Sequence, residues 1–268
     1  MLKSQILNWN LTFLSKEAIS ITISTIIFLI FIGVISGIIN SIIGMASLIS
    51  YPALISVGIP PVLANASNTV ALISSGISST LSSLRELKGH WKSACPVILL
   101  NAVGGLIGSI LLLHSSNEAF SKIIPFLIFF AACTILIPTK HQDKKTTAKS
   151  TFWEYVLLGL VGIYVGYFGA GAGVIMIAVL SRITNSSYNV YNATRNVATL
   201  ASNLMASIVF ILVANLYWKE LIILAIGLFI GGFIGPIIVR YIPTKIMKNG
   251  VGIFAIFLSI YLFIKAFF

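Results

Sequence analysis

Two short polar clusters stand where long apolar runs begin. Residues 64–70 read ANASNTV and residues 191–197 read YNATRNV, and Asn65-Ala66-Ser67 matches Asn192-Ala193-Thr194 at an offset of 127. With their neighbours, the clusters offer Asn65, Ser67, Asn68 and Thr69 in one copy and Asn192, Thr194, Arg195 and Asn196 in the other. Amide, hydroxyl and guanidinium groups are donors, and donors without an accompanying carboxylate suit an oxyanion. The Arg195 fork matches a sulfonate or sulfate-like group. A central intramembrane arginine costs about 2.5–3.5 kcal/mol on insertion scales. The bland alternatives are that Arg195 snorkels to the membrane surface and that Asn65 and Asn192 only cap helices. Two glycine-bearing breaks, at Gly44 and Ser47 and at Gly169, Gly171 and Gly173, add backbone N–H groups and half-helix dipoles near a ligand.

Other chemistry has little to work with. Glu17, Glu86, Glu118, Asp143, Glu154 and Glu220 all lie in or beside expected loops, so a carboxylate proton relay has no candidate. His90, His114 and His141 stand at the ends of apolar runs. No Ser/His/Asp arrangement, aspartate pair or metal-ligand spacing occurs. The expectation is a non-enzyme with no catalytic residues, no metal and no cofactor. Cys95 and Cys133 lie in apolar runs and read as packing residues.

The elements that must hold these groups are transmembrane helices. The chain has 268 residues, 58% hydrophobic and 9% charged, with a mean hydropathy of +1.04. A soluble domain carries about 25% charged residues. Recurrent long apolar runs predict an all-α polytopic membrane protein. The formal charge of +11 sits in Lys and Arg scattered at run ends. The positive-inside bias accounts for that better than a nucleic-acid surface, so the expected partners are the bilayer and a small anion, with a homo-oligomer left open.

In order, residues 1–18 read as an interfacial segment, 19–138 as a first transmembrane unit, 139–151 as a polar cytoplasmic linker, and 152–268 as a second unit. The first unit predicts a helix to about residue 43, a break, a short helix at 47–57, and helices at about 64–84, 93–113 and 121–138. The second predicts a broken run at 152–182 and helices at about 192–214, 219–240 and 246–267. The serines between Ser74 and Ser83 form one stripe, either for close packing or for a wet pathway wall.

The units are a duplication. Comparing each residue from 65 to 110 with the one 127 later gives twelve identities, which put Trp91-Lys92 on Trp218-Lys219 and Gly104-Gly105-x-x-Gly108 on Gly231-Gly232-x-x-Gly235. The glycine pairs read as helix-packing sites. Each unit then has about four long transmembrane helices, eight in all, plus short broken or re-entrant helices. Loop 85–92 holds Arg85, Lys88 and Lys92 while its counterpart holds only Lys219; the turn near 114–122 holds only Lys122 while its counterpart holds Arg240, Lys245 and Lys248. This switch favours an inverted over a parallel repeat.

The stretches 37–76, 159–180 and 192–210, with the paired W…GG..G pattern, resemble the sulfite exporter TauE/SafE family, within the toluene-sulfonate uptake permease group. The resemblance spans about residues 25–267. It departs at Gly44-Met45-Ala46-Ser47, where the family has more glycine; the second turn, GAGAG, keeps it. The resemblance implies a multi-pass transporter of the cytoplasmic (inner) membrane for sulfur-containing anions such as sulfite or organosulfonates. Export is the favoured direction because a negative interior drives an anion outward, by about 2.3 kcal/mol per charge per 100 mV. The alternatives are an anion-selective channel, an uptake permease for a sulfonate or other small organic anion, and a non-transporting scaffold.

Overall fold

A computed structural model describes residues 22–136, 152–183, 186–238 and 244–268. The expected interfacial segment 1–18 and the linker 139–151 lie outside the described residues, as does part of the charged turn at 240–248. The described residues form ten α-helices. They are α1 (Ile23–Ile43), α2 (Ser47–Ser56), α3 (Pro61–Ser83), α4 (Trp91–His114), α5 (Asn117–Leu136), α6 (Phe152–Tyr167), α7 (Ala172–Ile183), α8 (Tyr188–Val213), α9 (Trp218–Ile238) and α10 (Thr244–Phe267). A 3-10 turn, Leu84–Leu87, follows α3. By length and composition, six of these helices can cross a membrane: α1, α4, α5, α8, α9 and α10. Helix α3 has the length but is diluted by serine, and α6 has 16 residues. Large apolar side chains such as Phe126, Phe129, Phe130, Phe257 and Leu212 are exposed. In water that surface would aggregate; in a bilayer it is the solvent-facing side. The protein is a multi-pass membrane protein.

The two breaks are closed in the same way. Helix α1 ends at Gly44, whose φ of 79° is left-handed and whose N–H donates to the Ile39 and Asn40 carbonyls. Helix α6 ends before Gly169, φ 76°, whose N–H donates to the Tyr164 carbonyl. Both helix ends are closed by a left-handed glycine, a conformation only a residue without Cβ adopts cheaply.

Helices α3 and α8 start earlier than the sequence pattern predicts. Pro61 opens α3, a position where its missing N–H costs nothing, and α8 opens at Tyr188 behind Ser187. The capping positions are therefore Pro60 and Ser187, and the helix-cap reading of Asn65 and Asn192 is corrected: both lie inside their helices.

Packing exchanges partners between the halves. Helix α1 runs parallel to α9, with Gly33 against Leu224 and Gly227 and Gly37 against Leu228 and Gly231. Helix α4 runs parallel to α6 in the same manner, with Gly104 against Gly162 and Gly108 against Ile163 and Gly166. A Cβ on Gly104 would lie 2.6 Å from the Gly162 backbone. These glycines are packing sites, as their spacing predicts. Helices α3 and α8 instead run antiparallel: the end of α3 (Ser83) meets the start of α8 (Asn196). At the other end, Ser67, early in α3, accepts from the Tyr217 N–H just after α8. Helices α5 and α10 are also antiparallel, with Leu136 beside Gly252 and Phe126 beside Phe263 and Phe267. Trp91 and Trp218, the matched first residues of α4 and α9, are both about half exposed. Cys95, expected to pack, is exposed because it faces outward near the start of α4; Cys133 is half-buried.

Candidate functional site

Arg195 sits early in α8 with a side chain that is 1% exposed. It does not snorkel. It crosses inward to the C-terminal end of α1, where the helix dipole is negative. Its Nη2 donates to Asn196 Oδ1 at 2.6 Å and to the Asn40 carbonyl at 3.4 Å. Its Nη1 has no hydrogen-bond partner among the described residues. That nitrogen lies against two glycines. A Cβ on Gly44 would collide with it, and one on Gly173 would lie 3.1 Å from it. Gly44 closes the first break and Gly173 belongs to the first turn of α7, so the guanidinium is held in a slot made by both breaks.

Neighbouring polar groups fix this arrangement. Asn196 Nδ2 donates to Ser83 Oγ at 3.1 Å and to the Ser79 carbonyl at 3.3 Å, tying the arginine to the end of α3. Asn40 Nδ2 donates to Ser75 Oγ at 2.7 Å, tying the end of α1 to the middle of α3. A cavity of about 20 Å³ opens among Asn40, Gly44, Gly76, Ser79, Arg195, Asn196, Thr199, Leu200 and Asn203. That is room for about one water-sized occupant. Among the described residues no carboxylate pairs with Arg195; Lys122–Glu118 is the ion pair found. No group of three or more His, Cys, Asp or Glu converges among them.

The sequence-predicted residues divide between two places. The cavity brings together Arg195, Asn196 and Gly44, with Gly173 behind the guanidinium. Asn65, Ser67, Asn68 and Thr69 lie toward the opposite end of α3 and do not line it. Asn68, the positional counterpart of Arg195, has both amide atoms engaged on α2. Its Oδ1 accepts from Ser50 Oγ at 2.6 Å and its Nδ2 donates to Ser47 Oγ at 3.1 Å. Thr69 Oγ1 donates back to the Asn65 carbonyl, and Asn65 Nδ2 donates to the Tyr167 carbonyl at 2.8 Å. Thr194 is buried beside Arg195 on α8, and Asn192 is half-buried one turn earlier. Gly169 and Gly171 shape the second break, Gly171 against Ala131. Asn40 and Asn203 also line the cavity. Both are amide side chains inside apolar runs, the kind of internal polar group that suits an oxyanion, and the serine stripe is the sequence signal for Ser79.

The arrangement is a positive, glycine-walled cavity between helices with a spare guanidinium N–H. Residues 29–262 match the model of the family described as Sulfite exporter TauE/SafE. The chain belongs to that family. Three relatives match most of its length. Probable membrane transporter protein ORF9 of Sinorhizobium sp is 29% identical over 237 residues, covering 87% of this chain and 90% of its own. A probable membrane transporter protein of Haemophilus influenzae is 27% identical over 218 residues, covering 80% and 84%. The probable membrane transporter protein YfcA of Escherichia coli K12 is 26% identical over 224 residues, covering 82% of each chain. No solved structure matches. The protein is thus a TauE/SafE-family membrane transporter.

Proposed function

We propose that this transporter carries a small sulfur-containing anion, sulfite or a short organosulfonate, at the Arg195 cavity, and that it exports it across the cytoplasmic membrane. The observation that carries the reading is the buried guanidinium whose Nη1 has no hydrogen-bond partner and which has no carboxylate beside it among the described residues. Such a charge in a water-poor site calls for an exchangeable anion. Asn196, Asn40 and Asn203 line the same space with amide groups, and Gly44, Gly76 and Gly173 keep its walls free of side chains. A negative interior favours anion export by about 2.3 kcal/mol per charge per 100 mV.

The fold is read as two inverted repeats, α1–α5 and α6–α10, with eight long helices in all. The six long apolar helices are joined by α3 and α6, and the short helices α2 and α7 lead the chain back after each break. Helices α1 and α3 both run parallel to α9, so each repeat makes an odd number of passes and the second is turned over. Antiparallel contact between matched helices, α3 with α8 and α5 with α10, supports inversion. A two-fold axis along the helices would make each such pair parallel. At about 20 Å³ the cavity is too small for sulfite as it stands, so the reading requires the helices around Arg195 to part when the anion binds. Sulfite and sulfonate flux into and out of proteoliposomes tests the reading. Saturable flux that disappears in Arg195→Gln is expected; flux unchanged in that variant sinks the site.

A further inference from the structure

The two breaks are built alike but are not filled alike. At the C-terminal end of α1 the protein places its own cation: the Arg195 guanidinium donates to the Asn40 carbonyl beside the left-handed Gly44. The corresponding end of α6 has the same glycine-terminated geometry at Gly169 and the same negative helix end. There the residue matching Arg195 is the neutral Asn68, which is turned to Ser47 and Ser50 on α2. The side chain that reaches the end of α6 is Asn65, fully buried, with its Nδ2 committed to the Tyr167 carbonyl. This bond fixes the amide orientation, because the flipped amide would set two acceptor oxygens against each other. The Oδ1 so fixed has no hydrogen-bond partner among the described residues. It is an acceptor, and an acceptor beside helix-end carbonyls repels an oxyanion and attracts a cation.

We infer that Asn65 Oδ1 and the terminal carbonyls of α6 form a binding site for a monovalent alkali cation, with sodium the first candidate. The cation takes the place, in the first repeat's site, that the guanidinium of Arg195 takes in the second's. Neutral oxygens are the ligands an alkali ion uses, and no carboxylate is required. The site goes beyond the anion reading; it rests on that reading only for the role of coupling ion.

The test is thermal unfolding of the purified full-length chain in detergent, titrated with NaCl or KCl against choline chloride at constant ionic strength and without sulfur anions. A ligand of the folded state raises the midpoint with concentration above its Kd. The expected result is a saturable rise with Na⁺ or K⁺ that choline does not give. Asn65→Leu abolishes it. Asn65→Ser, whose hydroxyl can still donate to the Tyr167 carbonyl while offering an acceptor, shifts the rise to higher ion concentration and guards against a folding failure of the leucine variant. Arg195→Gln leaves it intact, so loss of anion binding and loss of the cation site are read separately. No saturable rise, an equal rise with choline, or a wild-type response in Asn65→Leu overturns the site.

Discussion

Replacing Gly44 by alanine should cost more than replacing its counterpart Gly169, and the excess should vanish with Arg195. Both glycines close a helix at nearly the same left-handed angle, φ 79° and 76°. An L residue there costs about 1–2 kcal/mol. A Cβ on Gly169 meets the Val165 carbonyl at 3.0 Å. A Cβ on Gly44 overlaps Arg195 Nη1 and stands 3.0 Å from Cζ, so the guanidinium must leave its slot. Losing its short bond to Asn196 Oδ1, at 2.6 Å, adds about 1.5–3 kcal/mol, the usual worth of one hydrogen bond to a charged group, and the 3.4 Å contact with the Asn40 carbonyl adds little to it. Gly44→Ala should therefore cost about 2.5–5 kcal/mol from strain and lost bonds together, against about 1–2 kcal/mol for Gly169→Ala. In an Arg195→Ala background Gly44→Ala should fall to the strain alone, giving a coupling of about 1.5–3 kcal/mol in the double-mutant cycle. Chemical or thermal unfolding in detergent reads the stability, and isothermal titration with sulfite reads the site. Gly44→Ala should weaken sulfite by roughly tenfold or more, since 1.4 kcal/mol is a factor of ten, while Gly169→Ala leaves it unchanged. Equal effects of the two substitutions on sulfite affinity would refute the placement of the guanidinium against Gly44.

Asn196→Asp sets a carboxylate where Arg195 Nη2 now meets a neutral oxygen at 2.6 Å. The internal ion pair should compete with the substrate, so the protein folds but binds sulfite at least about tenfold more weakly by titration, as a charge-assisted bond is worth 1.5–3 kcal/mol. Arg195→Lys keeps the charge and loses the planar fork, and should cut sulfite flux by about tenfold or more without a large change in unfolding midpoint. Gly108→Leu forces a side chain into the Ile163 and Gly166 backbone at the α4–α6 crossing. It should destabilise by at least about 1–3 kcal/mol, the cost of overpacking, seen as a lower thermal midpoint.

Much of this architecture is written in the residues. The offset of 127 that superposes Trp91-Lys92 on Trp218-Lys219 announces the duplication, and the glycines at 104–108 and 231–235 announce close helix crossings that the packing contains. The breaks are legible because glycine interrupts runs that are otherwise uniformly apolar. The starts of α3 and α8 are less so, because Pro61 and Tyr188 open helices one turn before the polar residues that look like caps. The site itself is half legible. Arg195 stands out by its cost in a membrane, but nothing in its sequence neighbourhood says that it reaches Asn40 and Gly44 from the other half. That contact depends on α1 and α8 meeting across a distance of 155 residues. For the same reason the matched motifs look like one site by pattern, yet antiparallel α3 and α8 carry them toward opposite ends.

In the proposed transporter Arg195 is the anion's charge partner. Its most direct test is counterflow of radiolabelled sulfite in proteoliposomes holding the wild type or Arg195→Gln at matched protein levels. Saturable counterflow is expected in the wild type and none above protein-free liposomes in the variant. Wild-type counterflow in Arg195→Gln would contradict it.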